Sequence, residues 1–236
     1  MIAGLLSSIV FATDGETRAG PATKYEVTLK KIEFCSDSAC TTSHTLVTKT
    51  SDMDIASAEV GAEVGSYAST MTLPPMGVTY THMRSTVDRT MSITGYALSA
   101  SSGHYCYTNG EAGGKTAFAA GVHTTSAATA AGSATASALE APTPSVNITT
   151  FIDGGTDGGP TGNFSMTYAP GYAISGDDLT VITALATPYT YYGQTPMIDI
   201  SFGTTAGVSS VEAGGGNASH DCNLFPGAPA MTITIK

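Results

Sequence analysis

The stretch VTYTHMRSTVDRTMSITG, residues 78–95, decides the fold class of this chain. It follows a Pro-Pro turn signal and ends at a glycine. Four of its apolar side chains share one parity: Met83, Val87, Met91 and Ile93. A period of two with one apolar face is typical of a half-buried β-strand. We therefore predict one long strand here, or two strands joined by a kink.

The rest of the chain also reads mainly as strands. Residues 25–35, YEVTLKKIEFC, form a run whose apolar face changes sides at Lys30-Lys31, which predicts a bulge or burial of both faces. The second half consists of short β-rich runs separated by Gly, Pro and Asp turns. We predict an all-β, antiparallel β-sandwich or jelly-roll-like fold with an extended apolar N-terminal strand and little helix.

The domain organisation follows from changes in composition. Residues 1–23 are an apolar segment, a donor strand or residual leader, followed by a polar linker from residue 13, and residues 24–236 are predicted to form one large β-sandwich. The alanine-rich residues 117–141 predict a flat strand pair or a loose crossover, so two halves meeting near residues 117–145 are the alternative. Residues 51–70 predict a loop with one or two helical turns.

Charge is scarce in this sequence. Charged residues make up 12%, the net charge is −10, and Thr and Ser together account for 61 of the 236 residues. Phosphate backbones and anionic membranes bind clustered basic side chains, so nucleic acid and membrane surfaces are not expected partners. A hydroxyl-rich exterior with little charge suits a secreted protein, or one covered by copies of itself.

The four cysteines allow three pairings. Their even number and the lack of a CxxC motif favour disulfides, and hence an oxidising compartment. We favour a small loop closed by Cys35 and Cys40, with Cys106 and Cys222 joining the middle of the chain to its end. Four unpaired buried thiols are the alternative.

Residues 1–12, MIAGLLSSIVFA, are uncharged and apolar at both parities. Twelve residues are too few to cross a bilayer as a helix, but as a strand they reach about 40 Å. A strand apolar on both faces must be buried on both, and insertion into a neighbouring subunit achieves this. The predicted interface residues are Ile2, Leu5, Leu6, Ile9, Val10 and Phe11. A residual leader and an internal core strand are the alternatives.

No catalytic signature is found in the sequence. The five histidines lack metal-ligand spacing, and there is no nucleophile elbow or phosphate-binding loop. We therefore predict a protein that is not an enzyme and requires no cofactor. Calcium is the one candidate ion, because loop carboxylates suit it. The candidate ligands are Asp153, Asp157, Asp177 and Asp178, whose alternative role is ordinary turn formation.

Two further groups of residues are candidate surface sites. Three asparagines occupy glycosylation sequons: Asn147, Asn163 and Asn217. Three tyrosines cluster near a turn: Tyr189, Tyr191 and Tyr192. Exposed tyrosines can stack on sugar rings, whereas a subunit contact or ordinary core packing is the alternative that we favour.

These features together predict an extracellular or cell-surface structural subunit that assembles with copies of itself into a filament, tube or layer by strand exchange. The overall character is similar to that of secreted fibre and pilin-like subunits, by analogy of fold class alone. The first alternative is a monomeric adhesin that binds glycans with the help of calcium. The second is a hydrolase with a carboxylate pair.

Overall fold

The structure is a computed structural model that describes residues 17–57, 71–98, 103–111, 119–141, 146–147, 163–164, 171–212, 222–227 and 229–235. These residues form strands almost throughout, which confirms the predicted all-β class. The strands are β1 (Thr17–Gly20), β2 (Ala22–Cys35), β3 (Ser43–Asp54), β4 (Thr79–Asp88), β5 (Thr90–Leu98), β6 (Tyr105–Thr108), β7 (Ala119–Thr124), β8 (Ser137–Glu140), β9 (Val146–Asn147), β10 (Asn163–Phe164), β11 (Ala173–Ser175), β12 (Asp178–Thr190), β13 (Ile198–Gly203), β14 (Val208–Glu212), β15 (Cys222–Pro226) and β16 (Ala230–Ile235).

The stretch that decided the fold class forms β4 and β5, two strands separated at Arg89. Both pair antiparallel with β2: β4 with its second half and β5 with its first half. The other side of β2 pairs with β3 along most of its length. Met83, Met91 and Ile93 are buried, as their shared parity predicts. The prediction of two strands joined by a kink is confirmed.

The predicted bulge in β2 is found at Lys30. The pairing of β2 skips between Leu29 and Lys31 against both β3 and β4. The extra residue shifts the parity of the strand, so that Leu29 before it and Ile32 after it are both buried. Both side chains belong to one hydrophobic cluster, whereas Tyr25 and Val27 nearer the start of β2 belong to another.

The strand β5 leaves β2 and pairs with β6, which carries the chain into a second layer. The strands follow one path in the order β1-β14-β15-β7-β6-β5-β2-β4-β12-β11. Gly95 lies at the turning point, where an added Cβ would meet the carbonyl oxygen of Pro21 at 2.6 Å. Only glycine permits this close crossing of two backbones. The result is a sandwich in which the two layers face each other.

The interior has two clusters, called here the first core and the second core. The first core lies between the two layers and includes Tyr25, Ile93, Val208 and Leu224. The second core lies beyond the bulge and includes Phe34, Met83 and Ile233. It is covered by a separate two-stranded sheet, β13 with β16.

Local expectations were wrong in three places. In the predicted loop of residues 51–70, the first four residues form the end of β3, and residues 58–70 lie outside the described residues. Residues 17–20 of the predicted linker form β1, which pairs with β14. In the alanine-rich segment, β7 and β8 are joined by the helix α1 (Ala127–Ser133), where the Ser126 side chain caps the amide of Thr129. That cap offsets the Thr and Ser residues that disfavour a helix. Both strands pair within the main sheet. Among the described residues, no helix has the length and apolar character needed to span a membrane.

Candidate functional site

The strand pair β13–β16 presents one apolar and one polar face. Its cross-strand neighbours include three apolar pairs: Ile198 with Ile235, Ile200 with Ile233, and Phe202 with Met231. The intervening positions are Asp199, Ser201, Thr232 and Thr234. Because side chains alternate between the faces of a strand, the six apolar residues share the face that packs on the core. We call this strand pair the lid: five of the six residues belong to the second core, and Phe202 packs on the first core.

The lid is incompletely covered. Of its six apolar side chains only Ile233 is buried, and the other five are half-buried. In the layer over the first core, by contrast, Val208, Leu224 and Phe225 are all at most 1% exposed. Half-buried isoleucines leave apolar surface in contact with water. Covering that surface with another element would be favourable, because it removes apolar area from water.

The strand β13 is the outer strand of the lid. Its partner β16 lies beside β12, and within the described part of the chain β13 pairs with β16 alone. Unpaired strand edges bind added strands, and proteins usually protect them with short length, charge, proline or a covering loop.

Other edges show such protection. The segment after residue 70 covers β3, where the amide of Thr72 donates to the carbonyl of Leu46 at 2.7 Å, and β3 also carries the exposed Lys49. The strands β1 and β11 have only four and three residues. The six residues of β13, IDISFG, contain no lysine, arginine or proline. Asp199 is the one charged residue of this strand.

Exposed apolar side chains lie next to the start of β13. Met197, directly before the strand, is 61% exposed, and Tyr192 is 75% exposed. The neighbouring loop carries Met76, 72% exposed, whose terminal methyl would lie 3.8 Å from a Cβ at Gly193. The two loops are joined by the hydrogen bond from the amide of Gly77 to the carbonyl of Tyr191, at 2.8 Å.

The predicted tyrosine cluster is divided by the structure. Tyr191 is buried, and Tyr189 is half-buried with its ring centroid 5.6 Å from that of Phe34. Burial raises the pKa of the Tyr189 phenol above its ordinary value. Only Tyr192 presents its ring to solvent. Tyr189 packs on the second core and Tyr191 is buried, in keeping with the core packing that the sequence analysis favoured over a sugar-binding site.

Two of the four candidate calcium ligands, Asp177 and Asp178, lie among the described residues, and both contact other residues of the chain. Asp178 lies opposite Asp88 across the β4–β12 ladder, and the ammonium of Lys30 lies 2.7 Å from one carboxylate and 3.0 Å from the other. The hydrogen bond to Asp178 raises the pKa of Lys30 above its usual value. Asp177 contributes its carbonyl to the amide of Arg89. The bulge residue thus supplies a cation between these two strands, and Asp153 and Asp157 lie outside the described residues.

A second charge group lies on the same side of the bulge as the second core. The buried Glu33 accepts a hydrogen bond from Nε of Arg84 at 2.7 Å and contacts Lys31 at 3.1 Å. Burial alone would raise the pKa of Glu33, but Arg84 and Lys31 outweigh it and hold the pKa below its ordinary value. The carboxylate is therefore ionised and structural.

The cysteines form the two disulfides that the sequence analysis favoured, Cys35–Cys40 and Cys106–Cys222. His123 lies beside the second bond and completes a group of three residues of metal-binding type. Since the two sulfurs are bonded to each other, they are not the thiolates that a metal requires. Disulfides of this kind form in oxidising compartments.

The remaining predicted residues are the glycosylation sequons and the proposed donor segment. The backbone register of the β9–β10 pair places Asn147 opposite Asn163, and Asn217 lies outside the described residues. The residues of the proposed donor segment lie outside them as well: Ile2, Leu5, Leu6, Ile9, Val10 and Phe11. Sequence reasoning identified the runs that become β13 and β16 but not their pairing. The available signal was a six-residue apolar run without a basic residue or proline.

No family model, curated protein or solved structure matches this chain.

Proposed function

We propose that the protein is a secreted structural subunit that assembles with copies of itself into a filament, tube or layer outside the cell. The observation that carries this proposal is the incompletely covered second core. Four half-buried apolar side chains over this core, Ile198, Ile200, Met231 and Ile235, favour burial against another protein surface. A monomer would keep this surface in water.

The chain itself contains a segment suited to that surface. Residues 1–12 are uncharged and apolar at both parities, so they gain most when both faces are covered. Adding this segment to an open layer of another copy would pair backbone groups and bury apolar area together. Repetition from copy to copy extends without closing, which generates a linear assembly.

The surface and the disulfides fit a location outside the cell. Two disulfides suit an oxidising compartment. A chain with only 12% charged residues has few charges to desolvate when copies pack closely. Neither feature identifies a polymer by itself, but both are compatible with dense packing of identical subunits.

Electron microscopy of the purified full chain tests the proposal. The expected result is ordered filaments, tubes or layers for the wild type, and folded monomers when residues 1–12 are deleted. A full-length variant with Leu6→Asp and Ile9→Asp should also stay monomeric. Its matched control carries Thr13→Asp and Gly15→Asp, which add the same charge outside the apolar segment and should still assemble. Uniform single particles of the wild type would refute self-assembly.

The same grids, repeated with a calcium chelator, test whether calcium takes part in the assembly. Loss of order on chelation would make the ion a component of the interface. Unchanged polymers would leave the loop aspartates with turn formation as their role.

One observation favours the adhesin alternative: the side chain of Tyr192 is 75% exposed. Aromatic rings in such positions stack on sugars. Binding on a glycan array that is lost in Tyr192→Ala, or on chelation of calcium, would support this function. Tyr191→Ala is unsuitable for this test because that side chain is buried.

A further inference from the structure

We infer that Cys106, Cys222 and His123 form a binding site for one Zn²⁺ ion when the disulfide between the two cysteines is reduced. This inference adds a metal site to the protein and does not rest on the proposed self-assembly. The disulfide and the ion are alternative states of one place in the fold, because both use the same two sulfur atoms.

Three neighbouring strands bring these side chains to one face of their sheet. His123 of β7 lies directly opposite Cys106 of β6, and on the other side of β7 the neighbour of Gly121 is Cys222 of β15. Cross-strand neighbours point to the same face, as do residues two apart on one strand. The imidazole therefore lies beside both sulfurs, on the face where Cys106 and Cys222 are fully buried.

The ligand atoms are close enough to share one ion. A ring nitrogen of His123 and the two sulfurs all lie within 4.8 Å of one another. In a tetrahedral site with Zn–S bonds of about 2.3 Å and Zn–N bonds of about 2.0 Å, the ligand atoms are about 3.5–3.8 Å apart. The Cα atoms of the two cysteines are 6.0 Å apart. Rotation of the two side chains to other staggered conformers can therefore separate the released sulfurs to that distance.

The surroundings hold the ligands and keep water from them. An added Cβ at Gly121 would meet the sulfur of Cys106 at 2.5 Å and that of Cys222 at 3.0 Å, so glycine leaves this space to the sulfurs. The ring of His104 stacks on the ring of His123, with their centroids 6.1 Å apart. Both ring nitrogens of His123 are shielded from solvent. Thiolate and imidazole are ligands that Zn²⁺ prefers, and oriented ligands bind it more tightly.

Thiol–disulfide exchange opens and closes the site. A dithiol reductant donates two electrons and two protons to the Cys106–Cys222 bond, which becomes two thiols, and is itself oxidised to a disulfide. Each thiol loses its proton when its sulfur binds Zn²⁺. In the reverse direction a disulfide oxidant takes two electrons from the thiolates and two protons from water, the S–S bond forms again and the ion is released. The chain can thus hold the ion before oxidation and exchange it for the disulfide afterwards.

Titration with Co²⁺, a coloured substitute for Zn²⁺, tests the site in the full-length chain. The starting protein carries Cys35→Ala and Cys40→Ala, so that reduction opens only the Cys106–Cys222 bond. A phosphine reduces it under anaerobic conditions, because a dithiol would compete for the metal; the phosphine becomes its oxide with an oxygen atom from water. The expected result is one Co²⁺ per chain, with thiolate-to-cobalt charge-transfer absorption that is lost when Zn²⁺ displaces the cobalt. The oxidised protein should show no such absorption.

Two histidine variants of the starting protein decide whether the absorption belongs to this site. His123→Ala should weaken Co²⁺ binding by at least about 100-fold, because even groups behind the ligands contribute about 10–100-fold to metal affinity. His82→Ala is the matched control, since His82 lies opposite the other cysteine position, Cys35, on a neighbouring strand. It should bind Co²⁺ as the starting protein does. Equal affinities of the two variants, or no Co²⁺ bound after reduction, would overturn the inference.

Urea denaturation and circular dichroism keep the test decisive if reduction unfolds the chain. Zn²⁺ should raise the urea midpoint of the reduced starting protein, or restore its strand signal if the reduced chain is unfolded, because binding to a native site is coupled to folding. His123→Ala should abolish this gain, whereas His82→Ala should keep it. Metal binding that neither stabilises nor refolds the chain would mean that the cysteines bind the ion in a non-native arrangement, and would overturn the inference. Each result is read in the same way whether or not the chain assembles.

Discussion

The first and second cores are built on the same strands but covered by unequal layers. Both use β2 and the β4–β5 pair as their base. Among the described residues, the first core has fourteen buried members and seven partly exposed ones, whereas the second has nine of each. The base is common to both, so the difference comes from the covering layer: several strands and a disulfide on one side, the β13–β16 pair on the other.

This comparison separates two tasks within one domain. The first core supplies stability that does not depend on a partner. The second core keeps apolar area that a partner can cover, at a cost in the stability of the monomer. Substitutions in the first core should therefore change folding, and substitutions at the lid should mainly change assembly.

The largest expected effect comes from the disulfides. Cys106–Cys222 spans 116 residues and crosslinks the first core, so replacing both cysteines by alanine should lower the free energy of unfolding by about 4–5 kcal/mol. Cys35–Cys40 spans five residues, and its removal should cost about 2 kcal/mol. Urea denaturation of the two double variants without reductant measures both values. Equal losses would contradict the assignment of stability to the first core.

A smaller contrast is expected for two isoleucines. Ile93 is fully buried in the first core, and Ile93→Ala should cost about 3–4 kcal/mol because it leaves a cavity. Ile200 is half-buried in the lid, and Ile200→Ala should cost about 1 kcal/mol in the monomer. Both are measured by urea denaturation of chains lacking residues 1–12. An Ile200→Ala loss as large as that of Ile93→Ala would show that the lid is already closed.

Gly95, where the backbone passes close to Pro21, offers a third test. Gly95→Ala forces a Cβ against the backbone at Pro21 and should cost about 2–3 kcal/mol by spreading the layers of the first core. Gly132→Ala is the control: no atom lies within 4 Å of its added Cβ, and it is in α1, so it should stabilise the protein by up to about 1 kcal/mol. Thermal unfolding of both variants checks the pair. Similar melting temperatures for the two would contradict the close crossing.

The smallest expected effect is a loss of stability at low pH. In the loop after β2, hydrogen bonds from the amide and hydroxyl of Thr41 and the amide of Thr42 lower the pKa of Asp37 from 3.8 to about 2, and the pKa of Glu33 is lowered as well. A lowered pKa in the folded state contributes stability above the unfolded value, and that stability is lost as the pH falls through the folded value. Stability should therefore decline between about pH 4 and pH 2, beginning at the second-core end.

The control for this pH dependence of stability is Asp37→Asn. It removes the titrating group, so denaturation midpoints measured across this pH range should fall less steeply than in the wild type. NMR titration of the Asp37 carboxyl gives its pKa directly. A midpoint slope that is the same in both proteins would show that Asp37 does not contribute.

Local patterns predicted the parts of this molecule that depend on neighbours in sequence. The parity of Met83, Met91 and Ile93 predicted a half-buried strand, and the change of apolar face at Lys30 predicted the bulge. The candidate site depended on distant pairing instead. Nothing near Ile200 indicates that its cross-strand neighbour is Ile233, and nothing near Asp178 indicates that Lys30 will lie between it and Asp88. The separation of Tyr192 from Tyr191 also follows from the sandwich rather than from their spacing.

Hydrogen exchange of the full chain, compared with the chain lacking residues 1–12, tests whether another copy covers the second core. We expect the amides of β13 to exchange at least about tenfold more slowly in the full-length assembly, because a covering segment protects them from solvent. Amides of β14, in the layer over the first core, should exchange at the same rate in both proteins. Equal protection of β13 in the two proteins would show that no other copy covers the lid, and that assembly does not bury the second core.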